Sequence, residues 1–149
     1  GECFDAVMLD DIDARINALP QAQRDKGVVL VMHQMGSHGP AYFKRTPDAF
    51  KDFRPECESA ALPSCELSSL INAYDNTVRY TDHLLASAIA WLSEQSESDA
   101  ALWYVSDHGE SLGENNLFLH GLPTAWRRLS KSTFLKFPGY QAICKRGLG

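Results

Sequence analysis

No acidic residue occurs after Glu114, and no apolar run exceeds a few residues. The longest strongly apolar run, Val28 to Met32, falls far short of the roughly 20 residues a membrane helix needs. No basic-then-apolar segment opens the chain, so any membrane or export function is expected to lie in other sequence or not to exist. There is no CxxC, HExxH, G-x-S-x-G or phosphate-binding glycine loop, so none of those chemistries is announced. No histidine stands close enough to a cysteine to complete a zinc-knuckle spacing. Internal repeats and low-complexity stretches are also missing. Disorder is excluded for the bulk of the chain by 44% hydrophobic and 22% charged residues.

What remains is 149 residues, enough for one modest domain. The net charge of −5 is unevenly spread. Residues 115–149 carry six bases and no acid, whereas the first 114 carry 8 bases and 19 acids. A basic tail can serve nucleic acid or anionic lipid, but the acidic body argues against nucleic acid as a partner. Cys57 and Cys65 stand eight apart in a proline-bearing stretch. Two free thiols and a local disulfide both fit, the second requiring an oxidising compartment.

Hydrophobic periodicity predicts a helix over 5–19, stopped by Pro20. Val28 to Met32 reads as a strand buried on both faces, ending in His33-Gln34-Met35-Gly36-Ser37-His38-Gly39-Pro40. Residues 41–66 read as irregular surface structure. Leu67, Ile71, Tyr74, Val78, Thr81, Leu85, Ala88 and Leu92 predict one long helix with that apolar stripe. Ala100 to Val105 reads as a second buried strand, running into Ser106-Asp107-His108-Gly109-Glu110. Strand, helix, strand predicts a parallel βαβ unit in an α/β fold. Ligands of such sheets bind beyond the carboxyl ends of the strands, where the histidines cluster.

Asp107 and His108 offer a carboxylate oxygen and an imidazole nitrogen, a pair suited to zinc, manganese or iron, while Gly109 allows a sharp turn past them. His38 and His120 also precede glycines in strand-exit contexts. His33 fits a buried histidine equally well, and His83 reads as surface. Ser37 and Ser106 are the only hydroxyls in these loops.

Several segments together resemble the lipid A phosphoethanolamine transferases, which include the mobile colistin-resistance enzymes and belong to the alkaline phosphatase/sulfatase superfamily. These are Gly1-Glu2-Cys3-Phe4-Asp5, His33 through Tyr42, Ser69 through Asn76, Tyr104 through Asn115, and Leu119-His120-Gly121-Leu122-Pro123. The resemblance runs from Gly1 to about Ala125, with the motifs in family order.

The resemblance implies part of an alkaline phosphatase/sulfatase-like α/β fold, a mostly parallel sheet flanked by helices. It implies a zinc-dependent enzyme on the periplasmic face of a bacterial inner membrane. That enzyme moves phosphoethanolamine from a phosphatidylethanolamine donor to a lipid A acceptor through a phosphothreonine. By motif, Asp107 and His108 are zinc ligands, and His38 and His120 contact the phosphoethanolamine group or a second zinc. Cys57 and Cys65 form a disulfide, and Cys3 pairs with a cysteine upstream. In the family the membrane helices, the nucleophilic threonine and a glutamate ligand precede the matched region. The expectation is therefore an inactive fragment of the catalytic domain over residues 1–125, followed by a basic tail at 126–149 that is unlike the family and fits a shifted reading frame. Two other classes compete: a sulfatase- or phosphodiesterase-type hydrolase using the same loops, and a non-catalytic module whose basic tail binds anionic lipid.

Overall fold

The computed structural model describes residues 3–96, 99–120 and 132–136. The chain forms two compact units, Gly1–Leu84 and Leu85–Gly149, with the division inside the longest helix.

The first unit opens with a 3-10 turn at Asp5–Leu9, followed by α1 (Ile12–Asn17) and α2 (Gln21–Arg24). The single helix predicted over 5–19 is broken at Asp11, whose φ of 56° is left-handed. Asp tolerates that conformation better than most residues, and the break leaves Ile12 as the one buried residue of α1. The helix stops before Pro20 as predicted, its C-cap at Ala18, and Pro20 then leads into α2, where its missing N–H costs no hydrogen bond and its carbonyl accepts from Gln23 and Arg24.

Val28 to Met32 departs further from expectation. These residues join no strand ladder among the described residues, and Val29 and Val31 are 88% and 89% exposed. β-branched composition favours a pleated, packed surface, but a buried strand also needs neighbours for its N–H and C=O groups. The predicted parallel βαβ unit therefore has only its helix and its second strand here.

Residues 41–66 are irregular, as predicted, with 3-10 turns at Tyr42–Lys44, Asp48–Phe50 and Leu62–Ser64. Polar side chains hold them in place. Asn76 has no exposed surface; its amide donates to the Phe53 carbonyl at 3.0 Å and to Glu56 at 3.2 Å, and its oxygen accepts from the Phe53 N–H at 3.0 Å. Glu56 also pairs with Lys51 at 2.8 Å. A disulfide joins Cys57 to Cys65 across a Cα separation of 5.9 Å. The Cys57 N–H donates to the Ser69 carbonyl, tying this segment to the start of the long helix.

That helix, α3 (Leu67–Ser93), has the predicted length, but of the predicted stripe only Ala88 is fully buried. Leu67, Ile71 and Val78 are exposed, whereas Leu70, Ala73, Asn76, Thr77, Tyr80, Leu84 and Ala88 are buried. An apolar-only stripe misses this face because two of its members are polar. Burying Asn76 and Thr77 is tolerable because both are hydrogen-bonded.

In the second unit, β1 (Ala101–Val105) pairs antiparallel with β4 (Ser132–Lys136), and Ala101 stands opposite Lys136. Between them in sequence, β2 (Ser111–Leu112) and β3 (Phe118–Leu119) form a short antiparallel hairpin. Helices and strands mix as an α/β reading requires, but both described pairings are antiparallel rather than parallel. β1 is covered on one face only, with Trp103 and Val105 exposed, which is the alternation expected of an antiparallel ribbon. β4 lies in the basic tail, where the sequence showed no strand pattern; the rest of 126–149 lies outside the described residues. Among the described residues no helix is long and apolar enough to cross a membrane.

Candidate metal and phosphate site

β1 delivers Asp107 and His108 into a tight turn. The Ser106 hydroxyl donates to the His108 carbonyl at 2.7 Å, and the His108 N–H donates to Asp107 Oδ1 at 2.9 Å. These bonds fix the turn locally, so Ser106 serves as a structural hydroxyl. Asp107 Oδ2 then lies 3.7 Å from His108 Nε2. Two ligands on a tetrahedral zinc with bonds of about 2.0 Å stand roughly 3.3 Å apart, so this donor pair suits such an ion. The Asp107 carboxylate is also felt by Tyr104: burial first, and Asp107 second, raise the Tyr104 phenol above its ordinary pKa of 10.0.

The β2–β3 hairpin brings His120 back to this turn. Ser111 faces Leu119, so the next residues outward, Glu110 and His120, become neighbours. Gly113 at φ 113° and Asn115 and Asn116 at φ 54° and 58° supply the left-handed backbone that the reversal needs. Glu114 folds under it, accepting from the Leu112 N–H and the Ser111 hydroxyl, both at 2.8 Å. As a result the His108 and His120 rings lie 3.9 Å apart at 30°. His120 Nδ1 is 3.1 Å from Oε1 of Glu110, whose side chain is 4% exposed.

His38 belongs to the first unit, in the turn after Met32. Its N–H donates to the Met35 carbonyl, and its Nδ1 is 2.7 Å from the Gly39 carbonyl. His108 repeats the arrangement, with Nδ1 3.1 Å from the Gly109 carbonyl. Carbonyls and carboxylates only accept, so in each neutral ring Nδ1 carries the hydrogen and Nε2 keeps its lone pair. This is how metal-binding histidines are commonly oriented by a second hydrogen bond. The histidine and carboxylate donors therefore fit a metal chemically, without specifying which.

His33, weighed as a buried histidine, is exposed. His83 is exposed as predicted, but its ring packs 4.5 Å from Phe50. Ser37 is hydrogen-bonded to Thr77 at 2.7 Å. The sequence reading gave no role to Glu110 or Thr77. Glu110 could have been found from the Gly-Glu-Asn-Asn turn signal, which sets it opposite His120; nothing local marks Thr77.

The sulfatase family matches residues 1–131. Phosphatidylethanolamine transferase Mcr-2 of Escherichia coli is 48% identical over 126 residues, covering 84% of this chain and 23% of the relative. The integral membrane protein lipooligosaccharide phosphoethanolamine transferase A of Neisseria meningitidis superposes with a TM-score of 0.78 at 37% identity, over 89% of this chain and 24% of that one. The C-terminal periplasmic domain of phosphoethanolamine transferase EptC from Campylobacter jejuni gives a TM-score of 0.75 at 40% identity, over 88% of this chain and 42% of that one. The chain thus spans about a quarter of the length of the curated relatives it matches. Strand-exit histidines, an Asp-His turn and these likenesses agree: the chain belongs to the sulfatase family, in the group of the phosphoethanolamine transferases.

Proposed function

We propose that this chain is part of the catalytic domain of a phosphoethanolamine transferase. The whole enzyme moves phosphoethanolamine from phosphatidylethanolamine to a phosphate of lipid A, on the periplasmic face of a bacterial inner membrane. The observation that carries the reading is the Asp107–His108 turn with the His120 ring packed against His108, each ring held by its Nδ1 hydrogen bond.

Asp107 and His108 would hold a zinc ion, which when bound supplies positive charge against phosphate oxygens and activates a nucleophile near neutral pH. His38 and His120 would contact the phosphoethanolamine group or hold a second zinc, using Nε2. Glu110 fixes the His120 ring in place. The Cys57–Cys65 disulfide braces the irregular 41–66 segment and suits an oxidising periplasm. Thr46 and Thr77 are buried and are poor candidates for the nucleophile. By the family resemblance the phosphorylated threonine belongs to sequence upstream of the matched region, and the chain alone is inactive.

A chimera tests this. Residues 3–120 replace the matching stretch of an intact phosphoethanolamine transferase in a polymyxin-sensitive bacterium. The expected result is phosphoethanolamine on lipid A and raised polymyxin tolerance, both lost with Asp107→Ala or His108→Ala. Transfer that survives both substitutions, or a chimera that only hydrolyses its donor, would overturn the reading.

A further inference from the structure

We infer that Asp5 is a positioning residue for His38. Its carboxylate accepts two consecutive backbone N–H groups of the histidine loop, Met35 on Oδ1 at 3.1 Å and Gly36 on Oδ2 at 2.8 Å. The partners lie 30 and 31 residues away in sequence, so the contact is tertiary rather than a local cap. Gly36 sits at φ 50°, so the backbone bends sharply where it is held. Two residues on, the His38 N–H closes the turn onto the Met35 carbonyl at 3.0 Å.

Asp5 is itself anchored. The neighbouring Ala6 N–H donates to the Tyr80 hydroxyl at 3.3 Å, and Phe4 packs edge-on against the Tyr80 ring at 6.1 Å. Tyr80 is buried on α3, three residues beyond Thr77, which is hydrogen-bonded to Ser37. One helix thus holds the loop directly through Thr77 and indirectly through Tyr80 and Asp5. Bonds to an ionised acceptor are stronger than neutral ones, so the carboxylate is the stiffest link in this clamp. The clamp sets the course of residues 35–37, and that course decides whether the His38 ring can reach the Gly39 carbonyl and hold its hydrogen on Nδ1. Asp5 touches no reacting group; it acts through His38. The inference rests on the proposed role of His38 toward phosphate or metal.

The experiment uses the isotopically labelled, zinc-free chain and three variants: Asp5→Asn, Asp5→Glu, and Asp10→Asn as an exposed control. Amide exchange is read at Met35 and Gly36, ring nitrogen resonances are read at His38, and exchange along Leu70–Leu84 reports the fold. In Asp5→Asn we expect about tenfold or faster exchange at Met35 and Gly36. We also expect the His38 ring to move from the Nδ1–H form to a mixture of tautomers, with α3 unchanged. Asp5→Glu should restore part of both signals, and Asp10→Asn should match the parent. An unchanged His38 ring in Asp5→Asn overturns the inference, whether or not amide exchange rises. Phosphoethanolamine is then titrated into the parent chain. A His38 ring that ignores it while the clamp responds as expected overturns the role of His38, not the clamp.

Discussion

Glu110 Oε1 lies 3.1 Å from His120 Nδ1, and the carboxylate is almost wholly shielded from water. A shielded acceptor of this kind holds the ring by direction as well as by charge. Replacing it with Ala frees the ring and removes the preference for Nδ1–H. We predict that Glu110→Ala weakens zinc binding by the chain roughly 10- to 100-fold, the usual cost of losing such an orienting partner. Glu110→Gln, which can still accept through its amide oxygen, should lose less. Calorimetric zinc titration of parent and variants decides it; equal affinities would mean that Glu110 has no part in metal binding.

The placement of several of these residues was legible in the sequence. Asp107, His108 and His120 stand out because glycines and strand exits surround them, and the hairpin returning His120 to His108 is coded by Gly113, Asn115 and Asn116. The length of α3 was legible from periodicity. Its buried face was not, because Asn76 and Thr77 are buried through hydrogen bonds that hydrophobicity cannot register. Val28 to Met32 misled for a related reason: composition reports an appetite for a sheet, whereas burial depends on which strands are present to pair. Asp5 could not be seen at all, since its partners lie 30 residues away and are backbone groups.

Asn76 should be the most sensitive polar position of the first unit. Asn76→Ala leaves the Phe53 N–H and carbonyl and the Glu56 carboxylate short of a partner at once. Each unmet buried group costs about 1–3 kcal/mol, so a loss of about 2–4 kcal/mol is expected in urea unfolding. Asn76→Asp should be no better, because it cannot donate to Phe53 and adds a charge beside Glu56.

The Cys57–Cys65 bridge closes a short loop of sequence separation 8. On the chain-entropy account its removal costs about 2.5 kcal/mol. The double Cys57→Ser, Cys65→Ser variant should lose that much stability and become indifferent to dithiothreitol, while the parent falls to the variant's level on reduction. A parent unaffected by reductant would show that the bridge contributes nothing to stability.

Tyr104 sets an alkaline limit. Burial and the Asp107 carboxylate both disfavour the phenolate, so its folded pKa lies above the ordinary 10.0. Below that value both folded and unfolded chains hold the proton and stability is complete. As pH rises past about 10 the unfolded chain ionises first, and stability falls until the folded pKa is passed. Tyr104→Phe should flatten that part of the stability curve. Asp107→Asn should lower the Tyr104 pKa only slightly, because Asp107 is the lesser cause, and absorbance titration of the phenolate against the Tyr104→Phe chain reads both.

Val29 and Val31 give the sharpest contrast between sequence and structure. A strand buried on both faces would make Val29→Lys and Val31→Lys ruinous, since each would bury an unpaired charge. With side chains 88% and 89% exposed, the same changes should alter the stability of this chain by no more than about 0.5 kcal/mol. They should also improve its solubility, because charges on an unpaired apolar segment oppose edge-to-edge association. Urea unfolding and sedimentation of the double variant settle the point. A loss of several kcal/mol would mean that this segment is packed in solution and that the strand read from Val28 to Met32 forms there after all.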